Sequence, residues 1–586
     1  MKKTIIAGMA ALMAFAFTSC DDVFDPSPEN NLPLDYIEQN AHYAEGLLGV
    51  AYIYLPNGSF AFNEPATDDA VSNDPSNGWR RAASGRWTAS DNPMNRWEAC
   101  RSAIQYCNLF LSNIEKVTWT DSERANKMFR DRYYGEAHGL RAIFMYYLLQ
   151  AHAGIGARSG ELMGIPIVLE PEGAGSNFNI PRNTFVECVE AMKRDAQIAL
   201  ENLPMKYGET GIAAMREKYP EASEGDLERV FGERFSGRVD SRIIQAYIAR
   251  IDLLAASPAF EASGITWETA ANSNAKVLAQ VGGLIGFDYS GLEWYSDPTI
   301  ANFTDSQLPL EVMWRTSQGN SHDLESTNYP PTLYGNGRIN PTQNLVDAFP
   351  MKNGYPITAA ESNYDPSNPY EGRDPRLKMY IICNGDKCGS EGTIINTSAD
   401  GSDNNALDKI STSTRTGYYM KKHLNMDVNC NPSNIVDKAH YTSRIRYTEF
   451  FLNYAEAANE AWGPMGTGSY GYSAYDVIKA IRSRAKLDEE EGGDTYLESI
   501  KSDKAKMREL IRNERRLELC FEGFRFYDLR RWKANLNETA RRMNIKNNEY
   551  KVEDIETRNF KDYMIYGPIP YSEVLKFNAL EQNKGW

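Results

Sequence analysis

Phe185, Val189, Met192, Ala196, Ala199 and Leu203 recur every three or four residues, which puts them on one face of a single helix. Asn183 or Thr184 can cap that helix, and Pro204 ends it. The same period returns at about 134–150, 241–256 and 447–462. A further helix is expected at 97–114, another starts near Tyr475, and a long one spans about 503–521. Small residues such as Ala137, Ala246, Ala455 and Ala458 alternate with large ones on these faces. That alternation lets helices pack closely, as tetratricopeptide-type hairpins do. No strict 34-residue repeat is visible, so the period alone supports paired helices in a mainly α fold.

Three long polar segments interrupt the helices, at 54–97, 289–341 and 385–413. Loops of such length inside a folded protein are usually functional or disordered. The first two carry Trp79, Trp87, Trp294 and Trp314. Disordered segments are poor in aromatics, so these two read as ordered binding loops. The third is rich in Asn, Ser and Asp and is the candidate for mobility. The expectation is helix hairpins packed against an irregular, loop-rich lobe.

The first twenty residues bear on location. Lys2 and Lys3 precede an apolar run at 5–17, too short for a spanning helix of about 20 residues. Thr18-Ser19-Cys20 ends the run, and Asp21-Asp22 follows. This resembles a bacterial lipoprotein signal over 1–19, with Cys20 acylated after cleavage. Phe17 and Ser19 depart from the usual Leu and Gly or Ala. Acidic residues after the cysteine resemble the surface-export signal of some Gram-negative lipoproteins. Residues 20–35, rich in Pro, Asn and Asp, read as a solvated tether. Several acyl chains anchor firmly, since each buried CH₂ contributes about 0.8 kcal/mol.

The net charge of −16 repels phosphodiester backbones, so nucleic acid is not an expected partner. None of the six histidines forms a His-Glu-x-x-His pair, and no nucleophile elbow, phosphate loop or dinucleotide fingerprint occurs. His138 and His152 are expected to pack or face solvent near helix ends. Seven cysteines remain beyond Cys20, so at least one is unpaired. Cys383 and Cys388 flank a turn-forming Asn-Gly-Asp-Lys and could pair, whereas Cys100 and Cys107 stand roughly 10 Å apart on one helix. Nothing has zinc spacing, and no cofactor is implied. Asp400, Asp403 and Asn405 loosely resemble a calcium loop without its glycine-and-glutamate spacing, leaving a structural calcium open. Glu514, Glu518 and Glu522 share one helix face. On a convex helix they cannot flank a cleft, so a packed salt-bridge network with Arg515, Arg516, Arg525, Arg530 and Arg531 is the expectation rather than glycosidase chemistry.

A series of segments resembles, in order, the RagB/SusD family of nutrient-uptake outer-membrane lipoproteins. Gly135-Glu136-Ala137, Leu140-Arg141-Ala142 and Tyr146-Tyr147-Leu148 resemble one of its helices. Gly164-Ile165-Pro166-Ile167-Val168, then Arg182 with Thr184, follow. Next come Pro341-Thr342-Gln343 with Val346-Asp347-Ala348-Phe349, and Arg373-Asp374-Pro375-Arg376-Leu377. Arg446-Tyr447 runs into Leu452-Asn453-Tyr454-Ala455-Glu456-Ala457. The most specific stretches are Glu514-Arg515-Arg516-Leu517-Glu518-Leu519 through Asp528-Leu529-Arg530-Arg531-Trp532, and Pro568-Ile569-Pro570 through Gln582-Asn583 to Trp586. Ala579 and Trp586 stand where the family usually has Pro and Tyr. The resemblance implies a SusD-like fold, with an N-terminal region at 36–340 and a C-terminal RagB/SusD region at 341–586. It also implies a non-catalytic, cell-surface glycan binder in the outer membrane, docked as a lid on a SusC-like TonB-dependent barrel transporter.

Such a binder needs a stacking aromatic and planar groups for sugar hydroxyls. The 64–97 loop offers Asp68, Asp69, Asn73, Asp74, Trp79, Arg80, Arg81 and Trp87. The family places its sugar site on the corresponding N-terminal loops, with aromatics from a mid-chain loop. Here those would be Trp294, Tyr295, Trp314, Tyr329 or Tyr334, whereas Trp97 opens a helix and reads as core. The candidates carried forward are Asp69, Asn73, Trp79, Arg81, Trp87, Trp294 and Trp314. A lid for peptide substrates and a surface glycoside hydrolase are the alternatives.

Overall fold

In the computed structural model, ten helices carry the argument. They are α1 (Ala41–Ile53), α2 (Trp97–Asn113), α3 (Glu123–His152), α4 (Phe185–Asn202), α5 (Ser241–Ala256), α6 (Trp267–Ala279), α7 (Tyr447–Trp462), α8 (Ala474–Arg484), α9 (Lys504–Glu518) and α10 (Arg525–Arg531). The structure describes residues 36–586 except 38–39, 57–61, 297–298, 301–306 and 490–491. The signal, Cys20 and the tether therefore lie outside the described residues.

Local chemistry sets the helix ends. Thr184 and Glu187 form a capping box at α4, and Asp240 caps α5 by accepting from the Ile243 N–H. The α5 and α7 bounds agree with the apolar period, while α3 starts eleven residues before the expected 134. Successive helices pack in pairs: α1 on α2, α2 on α3, α3 on α4, α5 on α6, α7 on α8. This is tetratricopeptide-like packing. Gly139 shows why it is close, since a Cβ there would sit 2.7 Å from Ile244 Cδ1. One core, with Leu140, Phe144, Phe185, Ile244, Phe450 and Ile478, fills the space between the helices.

A second core lies under the irregular lobe and holds Tyr329, Leu345, Phe349, Tyr380, Tyr419 and Phe521. Only short strands cross it. β1 (Ala70–Ser72) pairs antiparallel with β3 (Ile339–Pro341), β2 (Val312–Arg315) with β4 (Ser443–Arg446), and β5 (Ala540–Lys546) with β6 (Glu549–Glu556). The 385–413 segment, expected to be mobile, belongs to this lobe: Ile395, Thr397, Asn405 and Ala406 are fully buried. Its calcium-like residues are occupied otherwise. Asn405 bonds Thr332 through both side-chain atoms, at 3.0 and 2.6 Å, and Asp403 accepts from the Asn405 N–H at 2.8 Å. Cys383 and Cys388 do not pair. Both are buried free thiols, and burial pushes Cys388 up to about 12.

The three glutamates do enter a buried charge network, but with other partners than those adjacent in sequence. Arg376 reaches Glu514 at 2.9 Å and Glu518 at 3.0 Å. Arg482 takes Glu514 at 2.8 Å, Arg484 takes Glu518 at 3.1 Å, and Arg446 and Lys422 both take Glu522 at 2.7 Å. The neighbouring arginines serve elsewhere. Arg515 and Arg531 hold Asp528, Arg516 and Arg525 hold Asp68, and Arg530 lies 3.5 Å over the Phe526 ring. The network ties α8, α9, β4 and the Arg373–Leu377 stretch together, and it leaves no carboxylate of the three available for catalysis.

Candidate functional site

The first long loop is held to the far end of the chain. Asn63 donates to the Gly523 carbonyl at 2.8 Å, and the Gly523 N–H donates to Glu64 at 3.0 Å. Arg525 grips Asp68 with two hydrogen bonds, at 2.9 and 2.8 Å. Arg558 donates to the Thr67 and Ala70 carbonyls at 2.6 and 2.7 Å. With its base fixed, the loop turns through a short helix, Gly78–Arg81, capped by Asn77. That turn places Trp79 edge-on to Phe526, ring centroids 4.8 Å apart, and keeps its indole half-exposed.

Trp79 stands in the wall of a cavity of ≈ 320 Å³. Phe62, Pro93 and Arg96 of the same loop join it. The end of α3 adds Tyr146, Tyr147 and Gln150; β4 adds Arg444 and Arg446; the turn before α10 adds Glu522 and Phe524, and α10 itself adds Tyr527. Phe521 enters that turn at φ 60° and Gly523 at φ 79°, backbone values that a β-branched residue could hardly adopt. Gln150 donates to the Tyr146 hydroxyl at 3.0 Å, and the Tyr147 and Tyr247 hydroxyls lie 2.7 Å apart. The result is a half-apolar cleft with aromatic faces, an amide and guanidinium groups.

The charges in its walls are clamped. Arg250 holds Glu449 by two bonds at 2.8 and 2.6 Å. Burial opposes ionisation of Glu522, but Arg446 and Lys422 outweigh it and hold the carboxyl down to about 2. Burial, helped by the Lys422 charge, drops His423 to about 3. Neither group titrates where a general acid or base works at neutral pH. Burial does push Glu64 up to about 7, yet this side chain is fully buried behind the turn and bonded to the Gly523 N–H.

The structure separates the expected site residues. Trp79 lines the cleft. Trp87 does not: it is 3% exposed, donates to Asn92 at 2.9 Å and packs on Trp586, so neither ring face is open to a sugar. Trp294 reaches the same cleft but is 5% exposed and wedged against Tyr295. Trp314 is buried and donates to the Gly237 carbonyl at 2.9 Å. Asp69 is fully buried on Arg516 at 2.6 Å, and Asn73 spends its amide on the Asn336 and Gly337 carbonyls, both at 2.9 Å. Arg81 is forked onto Asp91 at 3.2 and 2.9 Å. Of these, only Trp294 joins Trp79 in lining the cleft. Sequence reasoning did not pick out Arg96, Tyr147, Gln150, Arg444 or Tyr527. Only Tyr147 and Gln150 had a signal, being three apart on one helix face near its end.

The SusD family model matches residues 310–586, and a model described as starch-binding associating with outer membrane matches residues 24–217. The chain belongs to the SusD/RagB family. Solved structures show the same fold. A SusD-like protein from Bacteroides fragilis is 24% identical, with a TM-score of 0.72 over 95% of this chain and 100% of the other. A SusD-like carbohydrate binding protein, also from Bacteroides fragilis, is 22% identical, with a TM-score of 0.67 over 93% and 99%. Surface glycan-binding protein A from Bacteroides fluxus is 17% identical, with a TM-score of 0.58 over 93% and 100%. No curated protein sequence matches the chain. SusD/RagB membership carries a non-catalytic role in glycan binding and delivery.

Proposed function

We propose that the Trp79 cleft is where this chain holds its glycan, before passing it to a SusC-like TonB-dependent barrel beneath. One observation carries the reading: a half-exposed indole faces a cleft that also offers Tyr147, Gln150 and Arg96. An aromatic face packs on the apolar C–H face of a pyranose, while an amide and a guanidinium bond the ring hydroxyls. Open stacking sites bury little area, so affinity for one short chain belongs in the micromolar-to-millimolar range. Anchoring beside other binders adds avidity.

The test is native affinity electrophoresis of the soluble chain, starting at Asp21, through plant, microbial and host polysaccharides. Retardation by at least one polymer without its degradation is expected. Trp79→Ala is expected to weaken it about tenfold or more, as loss of a stacking platform does. Unchanged retardation of that variant would move the site away from the cleft. Retardation by no glycan would favour peptide cargo.

Anchoring belongs to the same proposal. Cys20→Ala is expected to shift the protein from the outer-membrane fraction to the soluble fraction, because no helix among the described residues is long and apolar enough to cross a membrane. Retention of the variant through a high-salt wash would refute lipid attachment at Cys20.

A further inference from the structure

A second cavity, of ≈ 370 Å³, is lined in part by β2, and its chemistry the capture reading leaves unused. Among the described residues, Lys206, Arg234, Arg238, Arg242 and Arg315 line it against one carboxylate, Asp240. Arg242 holds Asp240 at 2.6 Å, and Arg238 is shared between Glu45 at 2.5 Å and Glu136 at 3.2 Å. Lys206 and Arg234 are exposed, and neither has a carboxylate partner among the described residues. Among the described residues, Arg234 donates only to the Arg229 carbonyl.

A second observation lies just behind the cavity wall. Arg132 is fully buried, and none of its three guanidinium nitrogens has a hydrogen-bond partner among the described residues. It is held between two rings, 3.9 Å over Tyr133 and 3.8 Å over Phe235. The Phe235 ring also faces Arg234 at 4.6 Å and Arg238 at 5.6 Å. One ring thus gathers three guanidinium groups, of which only Arg238 meets a carboxylate among the described residues. Like charges so close repel, and a buried cation without an anion is costly. In a chain of net charge −16, this excess of positive charge makes a local field that draws in an anion.

The two cavities are neighbours. Trp314 lines the second, and Arg444, which lines the first, lies 5.2 Å over the Trp314 ring. We propose that the second cavity binds the acidic group, a carboxylate or a sulfate ester, of an anionic saccharide whose neutral part occupies the Trp79 cleft. The inference rests on the capture reading for the neutral part. Guanidinium forks suit both acids, because each presents two coplanar oxygens to them.

The test is calorimetric titration of the soluble chain with three matched oligosaccharides: neutral, uronate-bearing and sulfated. Inorganic sulfate serves as a fourth probe. One acidic oligosaccharide is expected to bind about tenfold more tightly than the neutral one, as a charge-assisted bond would give. Which acid does so identifies the group. Lys206→Ala/Arg234→Ala changes two exposed side chains, and it is expected to abolish the preference while leaving neutral binding intact. Trp79→Ala is expected to weaken all three and preserve the preference. Equal binding of neutral and acidic saccharides overturns the proposal. So does an acid preference that survives the double variant. Inorganic sulfate binding as tightly as the sulfated saccharide overturns the saccharide class. Failure of the capture reading would look different, as neutral binding unmoved by Trp79→Ala.

Discussion

Arg376→Ala is expected to destabilise the fold by about 3–5 kcal/mol, the usual cost of removing one partner from a buried ion network. Arg376 is fully buried and meets Asp374 at 2.6 Å, Glu514 at 2.9 Å and Glu518 at 3.0 Å. Without it, three buried carboxylates face one another with Arg482 and Arg484 as their remaining cations. The Coulomb gain lost is only part of the effect. The larger part is the Asp374 charge, left in a low-dielectric site without the cation it meets here. Urea denaturation would measure the change as a fall in midpoint. Arg376→Lys keeps the charge but loses the planar fork, so an intermediate loss is expected. A loss under about 1 kcal/mol for the alanine variant would mean that the network contributes little net stability, as buried ion groups sometimes do.

Trp87→Ala is expected to cost about 3–5 kcal/mol as well, by the separate route of a cavity in a packed core. Its ring meets Trp586 at 4.8 Å and Phe560 at 6.1 Å, and Arg530 lies 5.1 Å over it. The comparison with Trp79→Ala is the informative one. The two tryptophans are eight positions apart. Truncating Trp87 is expected to lower the melting temperature while glycan affinity, measured well below it, stays near wild type. Truncating Trp79 is expected to lower affinity with little change in melting. If Trp87→Ala lost affinity while keeping its melting temperature, the division of labour drawn here would be reversed.

That contrast also shows where sequence reading stops. The α5 and α7 bounds were legible because a helix declares itself within its own residues, by period, cap and breaker. The family, and with it the helix-hairpin architecture, was legible from motifs such as the Arg373–Leu377 and Glu514–Trp532 stretches. Which tryptophan meets solvent was not. Trp79 has polar neighbours on both sides and stays half-exposed, but Trp87 is buried by Phe560 and Trp586, almost 500 positions later. The glutamate network fell between these cases. Its existence followed from three carboxylates on one face, while its cations came from Arg376, Lys422, Arg446, Arg482 and Arg484, which only the fold brings near. The rest of the cleft escaped for the same reason, since Arg96, Arg444 and Tyr527 converge from three separate segments.

The clamp between the first long loop and the chain's end also bears on the order of events during synthesis. Asn63, Glu64, Thr67, Asp68 and Trp87 all rest on residues between Gly523 and Trp586. Contacts so distant in sequence must close a very large loop before they return any energy, which makes them late and slow to form. The wall that carries Trp79 is therefore completed only after Trp586 has left the ribosome. Until then this half of the molecule is expected to stay unlocked.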